Sequence, residues 1–157
     1  MNTAKLENMK FIEDFKTGLK SLGCISGCIH IRKYNELELK AQVGLPRSVV
    51  SLITSIPKGK GMAGQAWVRR KPIMTCNLKT DHEAPIEPGA REVDARSAVA
   101  IPVTDQEGEV AAVVGFAFGD ELGFDELRLA QCEVAARRIV RMAIRSEAID
   151  SIPSLES

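Results

Sequence analysis

The chain has 157 residues, of which 45% are apolar and 27% are charged, and its 21 basic and 21 acidic residues cancel. This composition is ordinary for one globular domain, and the missing basic excess argues against binding to nucleic acid. The sequence shows no signal-like N-terminal segment and no run of 18 apolar residues. We therefore expect a cytoplasmic protein that does not enter a membrane and keeps its four cysteines as free thiols.

The first part of the chain shows two kinds of hydrophobic periodicity. Over residues 4–22 apolar side chains recur at intervals of three and four, which predicts an amphipathic helix ending near Gly23. Two strand-like runs follow, at 24–33 and 36–43. Apolar and polar residues alternate in the second run, so we expect a strand with one buried face and one solvated face.

Turn-forming residues and apolar runs divide the rest of the chain. Residues 47–55 form a short segment of undetermined type, and 57–72 form a Gly-rich turn followed by a helix that stops before Pro72. Beyond it we predict a strand at 73–78 and a polar connection at 79–96 with a small helix at Glu87–Ala95. Two nearly continuously apolar strands follow at 97–103 and 109–118. The chain then forms a helix at 124–149 and a frayed tail at 150–157.

These elements predict a single α/β (α+β) domain over residues 1–157. A central antiparallel sheet would carry the N-terminal helix (4–22) and the terminal helix (124–149) on one face. The core sheet and its lid would occupy residues 24–118, with the loops and short helices between 57 and 96 covering the other face of the sheet. We expect a pocket between the sheet and that lid.

Three segments together resemble the GAF domain family and cover nearly the whole chain. They are GKGMAGQAWVRRKPIMTCNL (59–78), SAVAIPVTDQEGEVAAVVGFAF (97–118) and GFDELRLAQCEVAARRI (123–139). The resemblance implies a GAF/PAS-like fold with a five- or six-stranded antiparallel sheet, a pocket under the lid, and dimerisation through the terminal helices. The broad apolar surface of the last helix also favours a homodimer.

The family's known ligand classes differ in the residues they require. Its cyclic-nucleotide branch resembles this chain at Asp125-Glu126, but the family's Phe is Glu121 here and no Asn-Lys pair precedes it. The bilin branch uses a Cys-His dipeptide, which the sequence lacks. Free methionine sulfoxide reductases carry cysteines where this chain has Ala63 and residues 91–94, so we expect no catalytic residues.

The resemblance and the residue chemistry together nominate nine residues for the pocket. They come from the Gly-rich turn, its helix, the polar connection and the central strands: Gly61, Met62, Ala63, Trp67, Cys76, His82, Arg91, Arg96 and Phe116. Arg96, Arg91 and His82 favour a small anion or carboxylate as ligand. The alternative for Arg96 is a salt bridge to Asp94 or Glu92, and the alternative for Trp67 is a place in the core.

Two other motifs have simple structural interpretations. On a strand, Cys24 and Cys28 would share a face but lie ~13 Å apart, which is too far for one metal ion or a disulfide. We therefore expect both thiols to fill small apolar spaces and His30 to make a hydrogen bond, and we predict no metal or cofactor. The Gly-rich turn at 59–64 is not a P-loop, and it either binds an anion or brings helix and sheet close together.

The sequence therefore predicts a non-catalytic sensor that binds a small molecule and signals to a separate protein. Two alternatives stay open. One is a thiol enzyme related to the free methionine-(R)-sulfoxide reductases and acting through Cys76. The other is a dimerisation or docking module whose pocket is vestigial and filled by side chains such as Met62 and Trp67.

Overall fold

The computed structural model of the protein describes residues 2–79, 81, 85–86, 95–121 and 123–150. Within these ranges the chain forms four helices and six strands. In order they are α1 (Thr3–Leu22), β1 (Ser26–Lys33), β2 (Glu36–Val43), α2 (Arg47–Leu52), β3 (Ser55–Pro57), α3 (Gly61–Arg69), β4 (Ile73–Thr75), β5 (Ser97–Thr104), β6 (Val110–Phe118) and α4 (Glu126–Asp150).

The strands form one six-stranded sheet in the order β3-β2-β1-β6-β5-β4, and every neighbouring pair is antiparallel. Helices α1 and α4 pack on one face, and α3 contacts strands on the other. The predicted antiparallel sheet with its terminal helices is thus confirmed. Each helix in the described ranges is too short or too polar to span a lipid bilayer.

Several element boundaries differ from the prediction for local reasons. The undetermined segment 47–55 contains α2, and the strand predicted at 73–78 ends at Thr75. Helix α4 begins at Glu126 because the Asp125 carboxylate accepts the Arg128 amide, 2.8 Å away, and so caps the helix. The small helix predicted at 87–95 lies, apart from Ala95, outside the described residues, as does the tail beyond residue 150.

Both ends of α1 have the capping groups that a helix requires. The Asn2 side chain accepts the Lys5 amide at 2.8 Å, and Gly23 adopts a left-handed conformation (φ 80°) after the last turn. Between these caps, Phe11, Phe15 and Leu19 are buried against the sheet and α4. Burial of each such side chain contributes about 1.5–3 kcal/mol to folding, which holds α1 on the sheet.

Strand β2 departs from the predicted alternation between a buried and a solvated face. Its register with β1 shifts by one residue, because Ile29 pairs with Ala41 while His30 pairs with Leu39, leaving Lys40 as a bulge. Leu37 therefore packs on the α3 side of the sheet, whereas Ala41 packs on the α1 and α4 side. A bulge switches the face to which later side chains point, so both faces of β2 are buried in part.

The outer surfaces of the terminal helices carry exposed apolar side chains, among them Leu6 and Met9 on α1 and Leu127, Val134 and Ile144 on α4. A helix from a partner subunit would cover these apolar side chains. Dimerisation through these helices stays a prediction.

The Gly-rich turn before α3 is a close backbone contact. Gly59 and Gly61 have positive φ angles (88° and 67°), and the Gly59 amide donates to the Gly64 carbonyl at 3.2 Å. A Cβ on Gly64 would lie 2.8 Å from the carbonyl carbon of Gly59 and 3.0 Å from the carbonyl oxygen of Pro57. The glycines therefore let helix and turn approach closely, which supports the tight-turn interpretation of this motif.

We expect Gly64→Ala to lower the free energy of unfolding by about 1–3 kcal/mol, since the added methyl group meets backbone atoms that cannot rotate away. Gly18→Ala is the matched control, because a Cβ at Gly18, inside α1, meets nothing within 4 Å. That variant should gain about 0.5–1 kcal/mol. Urea unfolding of both variants tests this, and equal effects at the two positions would contradict it.

Candidate functional site

A cavity of about 420 Å³ lies between the sheet and the elements on its α3 side. Its floor is formed by β1, β5 and β6, where small residues leave space above the strands: Ala98, Ala100, Gly115 and Ala117. Its walls come from the segment around α2 and from the start of α3, with Val49, Leu52, Ile53, Ile56 and Met62 among them. A cavity of this size and apolar character is typical of small-molecule sites.

Alternate residues of β1 supply the polar part of the floor. Ser26, Cys28 and His30 all line the cavity. Between them, Ile29 packs into the core formed with α1 and α4, and a Cβ on Gly27 would collide with the Leu19 side chain of α1. Side chains alternate between the faces of a strand, so the polar residues of β1 share the cavity face.

His30 is the most constrained polar residue of the cavity. It is 1% exposed, and its Nε2 lies 2.7 Å from the carbonyl oxygen of Ile53, just after α2. A carbonyl only accepts, so Nε2 carries the proton and donates it. Nδ1 is then an acceptor, and it is buried with no hydrogen-bond partner among the described residues. An unpaired buried polar atom costs about 1–3 kcal/mol of stability.

Burial keeps both ionisable groups on the cavity face of β1 uncharged. It lowers the pKa of His30, although the hydrogen bond to Ile53 opposes the shift, so the imidazole is neutral at pH 7. Burial also raises the pKa of Cys28 to about 11, against the opposing effect of a backbone hydrogen bond to Gly115. The only charged residue among the described lining is Lys60, which is exposed.

The structure brings four of the nine nominated residues to the cavity. Gly61, Met62 and Ala63 line it at the start of α3. Phe116 also contributes to its surface, but its side chain belongs to the core beneath α1 and α4. Thus Phe116 and Phe118, which the sequence places on one face of β6, both pack toward the terminal helices.

The other five nominated residues are not among the described lining. Trp67 is buried in the core between α3 and the sheet. Cys76 is exposed after β4, and Arg96 is half-exposed, 3.9 Å from the Glu121 carboxylate. His82 and Arg91 lie outside the described residues.

The cysteines of the β1 region do not share a face as expected. Cys28 lies on the cavity floor above Gly115, whereas Cys24 packs against the core of the terminal helices, near Cys132. The reason is that β1 begins at Ser26, so strand alternation does not extend back to Cys24. In the described part of the chain, no group of three or more His, Cys, Asp or Glu side chains is placed to hold a metal ion.

Sequence reasoning missed Ser26 and undervalued Cys28 and His30 as site residues. A signal was present, because three polar or polarisable residues at every second position of an otherwise apolar strand mark one face of it. The residues around α2, such as Val49 and Ile53, gave no such signal, since their place over the cavity depends on the course of the chain.

Residues 16–141 match the GAF domain family, so this chain belongs to that family. No curated protein sequence matches the chain. Similar solved structures include a type II free methionine-R-sulfoxide reductase from Thermoplasma acidophilum, with 14% identity, a TM-score of 0.72, and coverage of 92% of this chain and 96% of that chain.

Two further solved structures illustrate the functional range of this fold. One is the GAF domain of a phosphoenolpyruvate-protein phosphotransferase from Acinetobacter, with 13% identity, a TM-score of 0.65, and coverage of 99% and 100% of the two chains. The other is a free methionine-R-sulfoxide reductase from Neisseria meningitidis in complex with its substrate, with 16% identity, a TM-score of 0.62, and 94% coverage of each chain. At such identities the likeness shows the fold alone.

The state of His30 makes stability depend on pH. We expect the free energy of unfolding to fall as the pH drops below about 6.5, the ordinary histidine pKa, because the unfolded chain then binds a proton that the folded chain does not. The slope reaches at most about 1.4 kcal/mol per pH unit and ends near the lowered pKa of the folded state.

Urea unfolding between pH 7.5 and 5.5 measures this dependence. His30→Gln is the matched control, since glutamine keeps an amide donor for the Ile53 carbonyl but does not titrate. The other histidine, His82, is present in both proteins and cancels in the comparison. Parallel curves for the two proteins would show that His30 titrates alike in the folded and unfolded states.

Proposed function

We propose that this GAF domain is a non-catalytic sensor that binds a small molecule in the cavity between β1, β5 and β6 and the segments containing α2 and α3. The observation that carries the proposal is the cavity itself, which is about 420 Å³ in volume and largely apolar, with a neutral His30 in its floor. A ligand gains affinity there from the apolar surface that it buries, and the few polar groups of the cavity fix its orientation.

The packing also supports a route from the cavity to the terminal helices. Strand β1 presents His30 to the cavity and Ile29 to the core formed with α1 and α4. A ligand that favours one position of β1 therefore favours one packing of those helices. Such a ligand shifts the equilibrium only by its difference in affinity for the two states, and a separate signalling protein would detect that difference.

The described part of the cavity wall favours an uncharged ligand over the small anion or carboxylate expected from the sequence. Arg96, the main basis for that expectation, is half-exposed beside Glu121 and is not part of the described lining. The remaining charge, on Lys60, is exposed to solvent, where an ion pair contributes little affinity.

A screen of metabolites by thermal shift tests the proposal. A ligand at about 100 times its Kd should raise the melting temperature on the order of 5–10 °C. Ala98→Leu should abolish the shift, because its side chain fills the cavity from β5. Thr104→Leu, an exposed position of the same strand, should leave the shift intact. A broad screen that yields no shift in the wild type would contradict ligand binding.

The thiol chemistry of three of the four cysteines argues against catalysis by them and leaves Cys76 as the residue to test. Thiolates, not thiols, are the nucleophiles in sulfoxide and disulfide chemistry. Burial raises the pKa of Cys28 to about 11 and that of Cys24 to about 12, and it also raises the pKa of Cys132. On the order of 10⁻⁴ of the Cys28 side chains would be thiolate at pH 7. Only Cys76 is exposed, and the other three thiols are buried at least in part.

Turnover of free methionine-(R)-sulfoxide with a dithiol reductant tests this part of the proposal directly. We expect no activity above background in the wild type and no difference in Cys76→Ser. Cys132→Ser, a buried position, serves as the control for an indirect effect of removing a thiol. Wild-type activity that disappears only in Cys76→Ser would establish the alternative, a thiol enzyme acting through that residue.

The second alternative, a docking module with a vestigial pocket, is less well supported. Side chains such as Met62 and Trp67 would have to fill the space under the lid. Instead, Met62 forms part of the cavity wall and Trp67 packs into the core between α3 and the sheet.

A further inference from the structure

The strongest unexplained feature of the cavity is the Nδ1 atom of His30. The side chain lines the cavity and is 1% exposed, yet Nδ1 makes no hydrogen bond to any of the described residues. Buried polar atoms in folded proteins are nearly always paired, and exceptions frequently belong to functional sites. This atom therefore has no partner among the described residues, and a donor group on a ligand in the cavity could supply one.

The chemistry of that partner follows from the other ring nitrogen. Nε2 lies 2.7 Å from the carbonyl oxygen of Ile53 and must carry the ring proton to donate it. Because burial also lowers the pKa of the ring, Nδ1 carries no proton and acts only as an acceptor. A group that satisfies it must donate a hydrogen bond, as a hydroxyl, an amine or an amide N–H does.

The rest of the described wall favours mainly apolar, uncharged molecules as ligands. Aliphatic side chains from Leu45, Val49, Leu52, Ile56 and Met62 surround the space, and alanines and glycines floor it. No carboxylate occurs among the described lining residues, so a cationic ligand has no counter-ion there, and the one cation, Lys60, is exposed. A buried charge without a partner would carry a large desolvation cost.

We propose that the ligand of this cavity is an uncharged, mainly apolar small molecule that donates one hydrogen bond to Nδ1 of His30. This inference rests on the proposed ligand-binding function and adds the chemical class of the ligand. The Cys28 thiol lines the cavity two residues away on the same face of β1 and has a backbone hydrogen bond to Gly115.

Two matched pairs of probes test the inference by calorimetry. They are 2-naphthol with naphthalene, and indole with benzofuran, which are similar in size within each pair but differ in the hydrogen-bond donor. The measured quantity is the ratio of the two affinities within a pair, compared between the wild type and His30→Leu. We expect the affinity for the donor probe, divided by that for its partner without a donor, to be about 10-fold larger in the wild type than in His30→Leu. That factor is the value of one hydrogen bond to an otherwise unpaired acceptor.

A second measurement uses only the wild-type protein and so does not depend on how a variant folds. With ¹⁵N-labelled histidine, the Nδ1 resonance of His30 should shift toward the position of a hydrogen-bonded nitrogen on addition of 2-naphthol. Naphthalene should leave it unmoved. His30→Gln, which retains both a donor for Ile53 and an acceptor, should preserve part of the preference for 2-naphthol.

The outcomes separate this inference from the function on which it rests. If both members of each pair bind, with no added preference in the wild type and no shift of Nδ1, the cavity binds ligands but the inference is wrong. If none of the four probes binds, the inference is also overturned, and the metabolite screen decides separately about the proposed function. Ala98→Leu should remove probe binding and so locate it in the cavity.

Discussion

Strand β1 has no face turned to solvent over its central residues, and this constraint organises the molecule. It pairs with β2 on one side and β6 on the other, α1 and α4 cover one of its faces, and the cavity lies against the other. Each central residue of β1 must therefore fit one of two buried environments. Gly27 makes room for Leu19 of α1, and Ile29 joins the helix-side core, whereas His30 faces the cavity.

The same constraint sets the electrostatics of the site. Histidine and cysteine inside an apolar wall are held in their neutral forms, because ionisation there would lose hydration without gaining a counter-ion. A neutral imidazole that donates to one backbone carbonyl has a single tautomer, so its other nitrogen can only accept a hydrogen bond. The polar side chains that β1 places on the described floor of the cavity thus include an oriented neutral ring and a neutral thiol, with no charged pair between them.

The sequence predicted those parts of the fold whose signal is local. The periodicity of the long helices, the apolar runs of β5 and β6 and the two strands before residue 44 determined the α+β architecture, and the antiparallel sheet was predicted correctly. The bulge at Lys40 could not be predicted, because a register shift depends on pairing with another strand. For this reason the expected solvated face of β2 was wrong.

The nominated residues differ in their position relative to the cavity, again for physical reasons. The start of α3 was nominated because a glycine turn before a helix is visible in the sequence, and Gly61, Met62 and Ala63 do line the cavity. Arg96 was nominated on its charge, but an arginine at the end of a strand can also lie in solvent beside an acidic residue. Arg96 does so beside Glu121. His30 was expected to make a hydrogen bond. Its Nε2 does so with the Ile53 carbonyl, whereas its Nδ1 has no partner among the described residues.

The two walls of the cavity differ in stiffness. Moving α3 would separate Gly64 from the backbone of Gly59 and uncover the buried Trp67. Moving the wall that contains α2 breaks the side-chain hydrogen bond from His30 to Ile53 and the backbone hydrogen bond from Leu39 to Thr54, and of α2 itself it uncovers only Val49. We therefore expect the α2 side of the cavity to move more easily than the α3 side. Ligands of different size would be accommodated there while the glycine turn stays in place.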